Sequence, residues 1–245
     1  MKKKFIGILL ASVLLLSSLP VQAQGTEYTD VFQSEWFYEA VNYVSTNKVM
    51  TGVADKTFAP RDSLTRGMAV TILSRVYGSD TSGFKDAPFS DVDMKRYYGV
   101  HVAWAKQNGI IHGMTDTEFN PNDFMTREQI CVMLSNFFDF CGLSTRNTDV
   151  ERFSDEDKIG KWAKEAVLRM QRGGIVNGRD DNTFDPKGET TRAEFAQIFA
   201  NIIGTYIVSK GTYDKDIKGS VLIRTDDVEL KNLTVDGDLI IGCGA

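Results

Sequence analysis

The chain is predicted to be mainly α-helical, three helix–loop–helix repeats followed by a short β-rich tail, and three observations predict this. One is a spacing that occurs three times: Val41, Val102 and Val167 are each followed eleven residues later by a glycine (Gly52, Gly113, Gly178), then by Phe58, Phe119 and Phe184, then by Pro60, Pro121 and Pro186. A second is the pair Thr65-Arg66, Thr126-Arg127 and Thr191-Arg192, each opening an apolar stripe at helical spacing. The third is a change of period after Gly204, where apolar residues begin to alternate with polar ones.

The first element is a leader. Lys2, Lys3 and Lys4 precede an apolar run from Phe5 to Leu19 and the small-residue sequence Val21-Gln22-Ala23, which reads as a secretory signal peptide over residues 1–23. The run is shorter than the roughly 20 residues that a membrane-spanning helix needs. No other segment is apolar enough to span, so no membrane insertion is expected after cleavage. The formal charge of −5 becomes more negative once the three leader lysines are gone. That excludes nucleic acid as a partner on electrostatic grounds, and an anionic ligand has to be met by locally placed cations.

The repeats come next, at residues 29–78, 89–140 and 153–204. In each, a second helix is predicted after the arginine: Ala69, Ile72, Leu73 and Val76 share one face, as do Ile130, Met133, Leu134 and Phe137, and Phe195, Ile198, Phe199 and Ile202. First helices of about 12 residues carry stripes such as Trp162, Ala163, Ala166, Val167 and Met170, or Tyr97, Tyr98, Val102, Trp104 and Ala105, which read as core. Between them, Asp55-Lys56-Thr57, Asp116-Thr117-Glu118 and Asp181-Asn182-Thr183 supply turn residues. Asp180, Asp181 and Asp185 lack the ligand alternation and closing glutamate of a calcium loop, so no metal site is expected. Cys131 and Cys141 would stand about 15 Å apart on one helix, too far for a disulfide; Cys131 reads as a packing residue and Cys243 stays unassigned. Two short helices cannot bury a core alone, so the repeats are expected to pack as one domain.

The tail, residues 205–245, shows short apolar pairs at Val221/Ile223, Val228/Leu230, Leu233/Val235 and Leu239/Ile241, predicted as strands. They resemble the opening rungs of a right-handed parallel β-helix. A few rungs leave a pairing edge exposed, so the natural chain is expected to continue or to be covered there.

The start of each second helix carries the sharpest chemistry. Thr191 with Glu194, and Thr126 with Gln129, form capping boxes, whereas Thr65 faces Met68 and loses the reciprocal partner. Capping does not explain Arg66, Arg127 and Arg192, because a cation in the first turn opposes the helix dipole by about 0.3–1 kcal/mol. Two readings account for them: an anion held jointly by the guanidinium and the free helix-start amides, or an ion pair with the aspartate opening each repeat, Asp30, Asp91 or Asp155. Near the start of each first helix stands a large aromatic, Trp36, Tyr97 or Trp162, which either stacks on a sugar ring or packs in the core. Gly52, Gly113 and Gly178 either end a helix or allow close approach of a ligand. His101 and His112 form no triad or metal pattern, so no catalytic set and no cofactor is expected in the repeats. His112 occupies the slot of Thr51 and Asn177 and reads as a groove-lining or a solvated residue.

These motifs together resemble the S-layer homology repeat family. Repeat three carries Phe153-Ser154-Asp155, Trp162-Ala163, Gly174-Ile175-Val176-Asn177-Gly178, Phe184-Asp185-Pro186 and Thr191-Arg192-Ala193-Glu194. Repeat two carries Phe89-Ser90-Asp91-Val92, Gly109-Ile110-Ile111-His112-Gly113 and Thr126-Arg127-Glu128-Gln129. Repeat one departs furthest, with Thr29-Asp30-Val31 and Gly67-Met68. The resemblance implies a pseudo-threefold bundle whose inter-repeat grooves bind an anionic, pyruvate-ketal-bearing secondary cell-wall polysaccharide and so hold an exported protein on the cell envelope without covalent bonds. The arginines would meet the anion, and the aspartates, aromatics and glycines, with Gln129 and Glu194, would shape the sugar pockets. Two alternatives are an anchor region of a longer carbohydrate-active enzyme with a β-helix catalytic domain, and an envelope scaffold that binds protein.

Overall fold

The computed structural model describes residues 28–242; the signal-peptide reading and Cys243 lie outside them. Six helices come first: α1 (Tyr38–Thr46), α2 (Arg66–Tyr77), α3 (Gly99–Gln107), α4 (Arg127–Cys141), α5 (Lys164–Arg172) and α6 (Arg192–Ile202). The first helix of each repeat has 9 residues, shorter than expected from the sequence. The reason lies at the helix starts: Phe37, Tyr98 and Ala163 are N-caps with no capping side chain, and the residues just before them form turns. Trp162 and Tyr97 therefore fall outside the helices they were assigned to, and neither belongs to the core.

The helices of one repeat pack mainly on those of the next. α2 lies against α3, α4 against α5, and α6 returns to α1. The stripes of the second helices are buried as expected, apart from a partly exposed Ile202, and one core runs through all three repeats. Phe58, Phe119 and Phe184 are fully buried at its floor. Cys131 is buried in the same core, where desolvation raises its thiol to about 12, and both it and Cys141 are free. A single repeat has no partner for its apolar faces, so the three must fold together.

Backbone hydrogen bonds close the same cycle. Leu64 N–H donates to Thr190 C=O, Thr190 N–H to Met125 C=O, and Met125 N–H to Leu64 C=O. These residues precede the three second helices and bring all three helix starts together. Glu128, buried in α4, adds a tie between repeats two and three: it accepts from Gly160 N–H at 2.9 Å and pairs with Lys187.

The tail forms seven short strands: β1 (Thr205–Ile207), β2 (Gly211–Tyr213), β3 (Ile217–Lys218), β4 (Val221–Ile223), β5 (Val228–Leu230), β6 (Val235–Asp236) and β7 (Leu239–Ile241). All pairings are parallel, in the order β1-β4-β7, β2-β5 and β3-β6. Thr205 faces Val221, and Val221 faces Leu239. Ile207, Ile217, Val221 and Ile223 fill the space between the ladders. Four strands match the sequence reading, although Leu233 stays outside β6, while β1 to β3 carry too few alternating apolar residues to have been read. The tail is tied to the repeats by Arg224, whose Nη1 donates to the carbonyls of Arg75 and Val76 at 2.6 Å, at the C-terminal end of α2. A cation there also complements the helix dipole. Among the described residues, no helix is long and apolar enough to cross a membrane.

His101 gives the fold a pH dependence. Its Nδ1 lies 2.7 Å from the Ser74 hydroxyl. Burial, and secondarily Arg75, lower its pKa from 6.5 to about 4. The unfolded chain then takes up the proton first, so this contribution is complete above the unfolded value and is lost as the pH falls toward the folded one. With allowance for screening of a partly exposed ring, the loss should be about 1–2 kcal/mol. Urea denaturation at pH 7 and 4.5 should show a smaller drop for His101→Gln than for the wild type; equal drops would exclude this residue as the source.

Candidate functional site

Each second helix begins with a threonine that caps it. Thr65, Thr126 and Thr191 accept from the N–H of Met68, Gln129 and Glu194, and the last two pairs are complete capping boxes. The remaining first-turn amides are also taken. Arg66 and Gly67 donate N–H to Asp123 and Pro121, Arg127 and Glu128 to Gly188 and Pro186, and Arg192 and Ala193 to Asp62 and Pro60. Every acceptor is a carbonyl of another repeat. The expected use of free helix-start amides in an anion site is thereby corrected: neighbouring loops occupy them, and only the guanidinium remains.

The three arginines cross between repeats in the same direction. Nε of Arg66 donates to Phe119 C=O at 2.7 Å and its Nη2 to His112 C=O at 3.2 Å. Arg127 does the same with Phe184 and Asn177, at 2.7 and 2.8 Å. Arg192 does so with Phe58 and Thr51, at 2.9 and 2.7 Å. Each guanidinium stacks over the phenylalanine whose carbonyl it binds, 4.4 to 5.0 Å from the ring centre. The three residues are only 5 to 9 % exposed. Burial lowers the pKa of all three, opposed by nearby acids such as Asp123 for Arg66 and Glu194 for Arg127. These partners, in the next repeat round the cycle, are what offsets the unfavourable helix dipole.

The ion-pair reading for the aspartates is corrected as well. Both carboxylate oxygens of each accept backbone N–H groups: Asp30 from Phe58 and Ala59, Asp91 from Phe119 and Asn120, Asp155 from Phe184 and Asp185. Ala59, Asn120 and Asp185 sit at φ near +57°, a strained conformation that these bonds hold in place. The aspartates therefore fix the loops whose carbonyls receive the arginines. Gly52, Gly113 and Gly178 are explained by the same loops. A Cβ on Gly113 would lie 2.1 Å from Thr115 O, and one on Gly52 2.7 Å from Thr57 O. The close approach is by the protein's own backbone. In the acidic cluster, Asp181 caps Thr183 and Asp185 pairs with Arg179.

Trp36, Tyr97 and Trp162 are 61, 48 and 59 % exposed, which removes the core alternative for all three. Trp36 and Trp162 each share a cavity with an arginine of a different repeat. A cavity of about 350 Å³ on repeat two has Arg66 from repeat one, His112, Gly113 and Gln129 from repeat two, and Trp162 from repeat three on its walls. One of about 470 Å³ on repeat three combines Arg127, Asn177, Gly178, Glu194 and Trp36. On repeat one, Tyr97 is close enough to Arg192 to act on its charge, and Met68 stands where Gln129 and Glu194 stand in the others. Such a groove, with an exposed ring, a buried cation and backbone polar groups, suits an anionic sugar. The sequence reading grouped the arginine and aromatic by repeat; the fold draws them from three repeats. It missed Asn136 and Asn201, which line the two cavities and donate to Ile110 and Ile175 C=O. Their signal was available, since both stand nine residues after the arginine.

A family model described as the S-layer homology domain matches residues 27–69, 88–131 and 152–196. The chain is 28 % identical over 211 residues to an endoglucanase of Bacillus sp. (strain KSM-635), covering 82 % of this chain and 22 % of that protein. It is 27 % identical over 205 residues to the surface-layer 125 kDa protein of Lysinibacillus sphaericus, covering 82 % and 17 %. It is 26 % identical over 231 residues to the S-layer protein of Bacillus thuringiensis subsp. finitimus, covering 94 % and 27 %. The chain thus spans less than a third of the length of each of these relatives.

Proposed function

Because the chain belongs to the S-layer homology domain family, we propose that it holds an exported protein non-covalently on the bacterial cell envelope by binding an anionic, pyruvylated cell-wall polysaccharide in grooves between its repeats. The family and the surface-layer proteins it matches make this a secreted, cell-surface-associated protein. The observation that carries the ligand reading is the exposure of Trp36, Tyr97 and Trp162, each beside a buried guanidinium that the fold itself supplies from another repeat. We take the binding unit to be repeats 29–78, 89–140 and 153–204 about a pseudo-threefold axis, with 205–245 as the first coils of a parallel β-helix. The cyclic hydrogen bonding and the parallel ladders support that reading.

The test is co-sedimentation with purified cell-wall sacculi before and after acid removal of the polymer, with a Trp36→Ala/Trp162→Ala variant alongside. These side chains are exposed, so the variant should melt like the wild type while its retention falls tenfold or more. A tenfold loss is about 1.4 kcal/mol, within the range of about 1–3 kcal/mol by which a nucleic-acid base stacks on one aromatic ring, here shared between two rings and a sugar. Retention that survives loss of the polymer, or of both tryptophans, would exclude the reading. A second reading is favoured by the relatives named as endoglucanase, amylopullulanase and exoglucanase: the repeats serve as the anchor of a longer carbohydrate-active enzyme, with the binding chemistry unchanged.

A further inference from the structure

The two cavities share one plan and differ in charge. Around the cavity on repeat three stand Arg127 and Arg179 together with Glu194 and Asp180, two cations against two carboxylates. Glu194 Oε1 accepts from Arg127 Nη1 at 3.2 Å and from Arg179 Nη1 at 2.5 Å. The cavity on repeat two has Arg66 as its cation and no carboxylate on its walls. Arg66 makes no ion pair among the described residues, and its Nη1 meets only the sulfur of Met125, at 3.9 Å. The side chain of Gln129 stands in the register of Glu194, and both complete a capping box.

We propose that the groove on repeat two, and not the one on repeat three, takes the carboxylate of an acidic sugar, and that Gln129 in place of Glu194 sets this choice. The proposal rests on the polysaccharide-binding reading above. A ligand carboxylate entering beside Arg127 meets a guanidinium already paired and a like charge on Glu194 in a half-desolvated space. Beside Arg66 it meets a guanidinium that no carboxylate contacts directly, with one donor, Nη1, set only against the Met125 sulfur. Met125 touches that donor and Met114 and Val132 line the same cavity, which suits a carboxylate carried next to a methyl group, as in a pyruvate ketal or a lactyl ether. The groove on repeat three is left for an uncharged sugar unit, stacked on Trp36.

The tryptophans report on the two grooves separately, since Trp162 lines one and Trp36 the other, while Trp104 is in the core. Fluorescence titrations of Trp36→Phe and Trp162→Phe proteins would use a pyruvate-ketal-bearing N-acetylhexosamine and N-acetylmuramic acid, with the methyl ester of each as control. The two probes distinguish a ketal of the wall polymer from the lactyl group of peptidoglycan. The expected result is a response of Trp162 to one of the acids and at least tenfold less to its ester. Gln129→Glu should weaken that response tenfold or more without changing the melting temperature, and Glu194→Gln should create a comparable response at Trp36. An acid response at Trp36 of the unsubstituted groove, or one at Trp162 that Gln129→Glu leaves intact, would overturn the proposal while sacculus binding stands. Absence of any response together with loss of polymer-dependent sedimentation would overturn both readings.

Discussion

Arg192→Ala should lower the melting temperature by roughly 6–20 °C, the largest effect expected of a single polar substitution in this protein. The substitution removes two charge-assisted hydrogen bonds, to Phe58 and Thr51 C=O, and the stacking on Phe58. Hydrogen bonds to charged groups contribute about 1.5–3 kcal/mol each, and the Phe58 carbonyl left behind is buried while Thr51 is exposed, so a loss of about 3–5 kcal/mol is expected. At about 2–4 °C per kcal/mol for a domain of this size, that is about 6–20 °C. Arg66→Ala and Arg127→Ala should behave alike, because their bonding is alike. Lysine should restore only part of the loss, since an ammonium cannot reach two carbonyls with the guanidinium's planar fork. Circular dichroism melts of the three variants provide the check; a shift of about 2 °C or less would mean that the carbonyls find other partners. A practical corollary is that alanine at these arginines would report stability and binding together, which is why the binding test uses exposed tryptophans.

Asp155→Ala should come second, at about 3 kcal/mol. Asp155 is buried and accepts from Phe184 N–H at 2.6 Å and Asp185 N–H at 2.9 Å, a carboxylate bound by two amides. Without it, Asp185 loses what holds it in the left-handed conformation, and the Phe184 carbonyl is no longer presented to Arg127. Asp155→Asn should rescue little, since an amide offers one oxygen to two donors and points its own NH₂ at the other. Urea denaturation of both variants, with sacculus retention measured below the transition, separates the two consequences: stability should fall, and retention should fall with it. A stable Asp155→Ala protein would remove the aspartate from this role.

Much of this was legible in the sequence because it is local. The threonine caps, the apolar faces of α2, α4 and α6, and four of the seven strands depend on residues within a few positions of one another. What was not legible is the handover between repeats. The spacing shows that Arg66, Arg127 and Arg192 are equivalent, but not that each reaches carbonyls 46 to 141 residues away. The dipole argument was right that something must favour an arginine there; the partner was a backbone carbonyl, which carries no side-chain signature. Similarly, Trp162 continues the apolar stripe of α5 on paper, yet it precedes the helix, so helical periodicity no longer governs where it points. Strands β2 and β3 were hidden because Gly211-Thr212-Tyr213 and Ile217-Lys218 owe their pairing to β5 and β6 further along the chain.

The return of α6 to α1 has a mechanical meaning. Repeats one and two, and two and three, are joined by covalent chain, whereas the joint between three and one consists of side-chain packing and hydrogen bonds alone. The tail leaves directly from the end of α6, so tension applied through it arrives at that joint first, and the tie from Arg224 to α2 diverts part of the pull into repeat one. Under load the ring should therefore open between its first and last members, with Arg192 as the part that yields, while the two covalent joints stay closed.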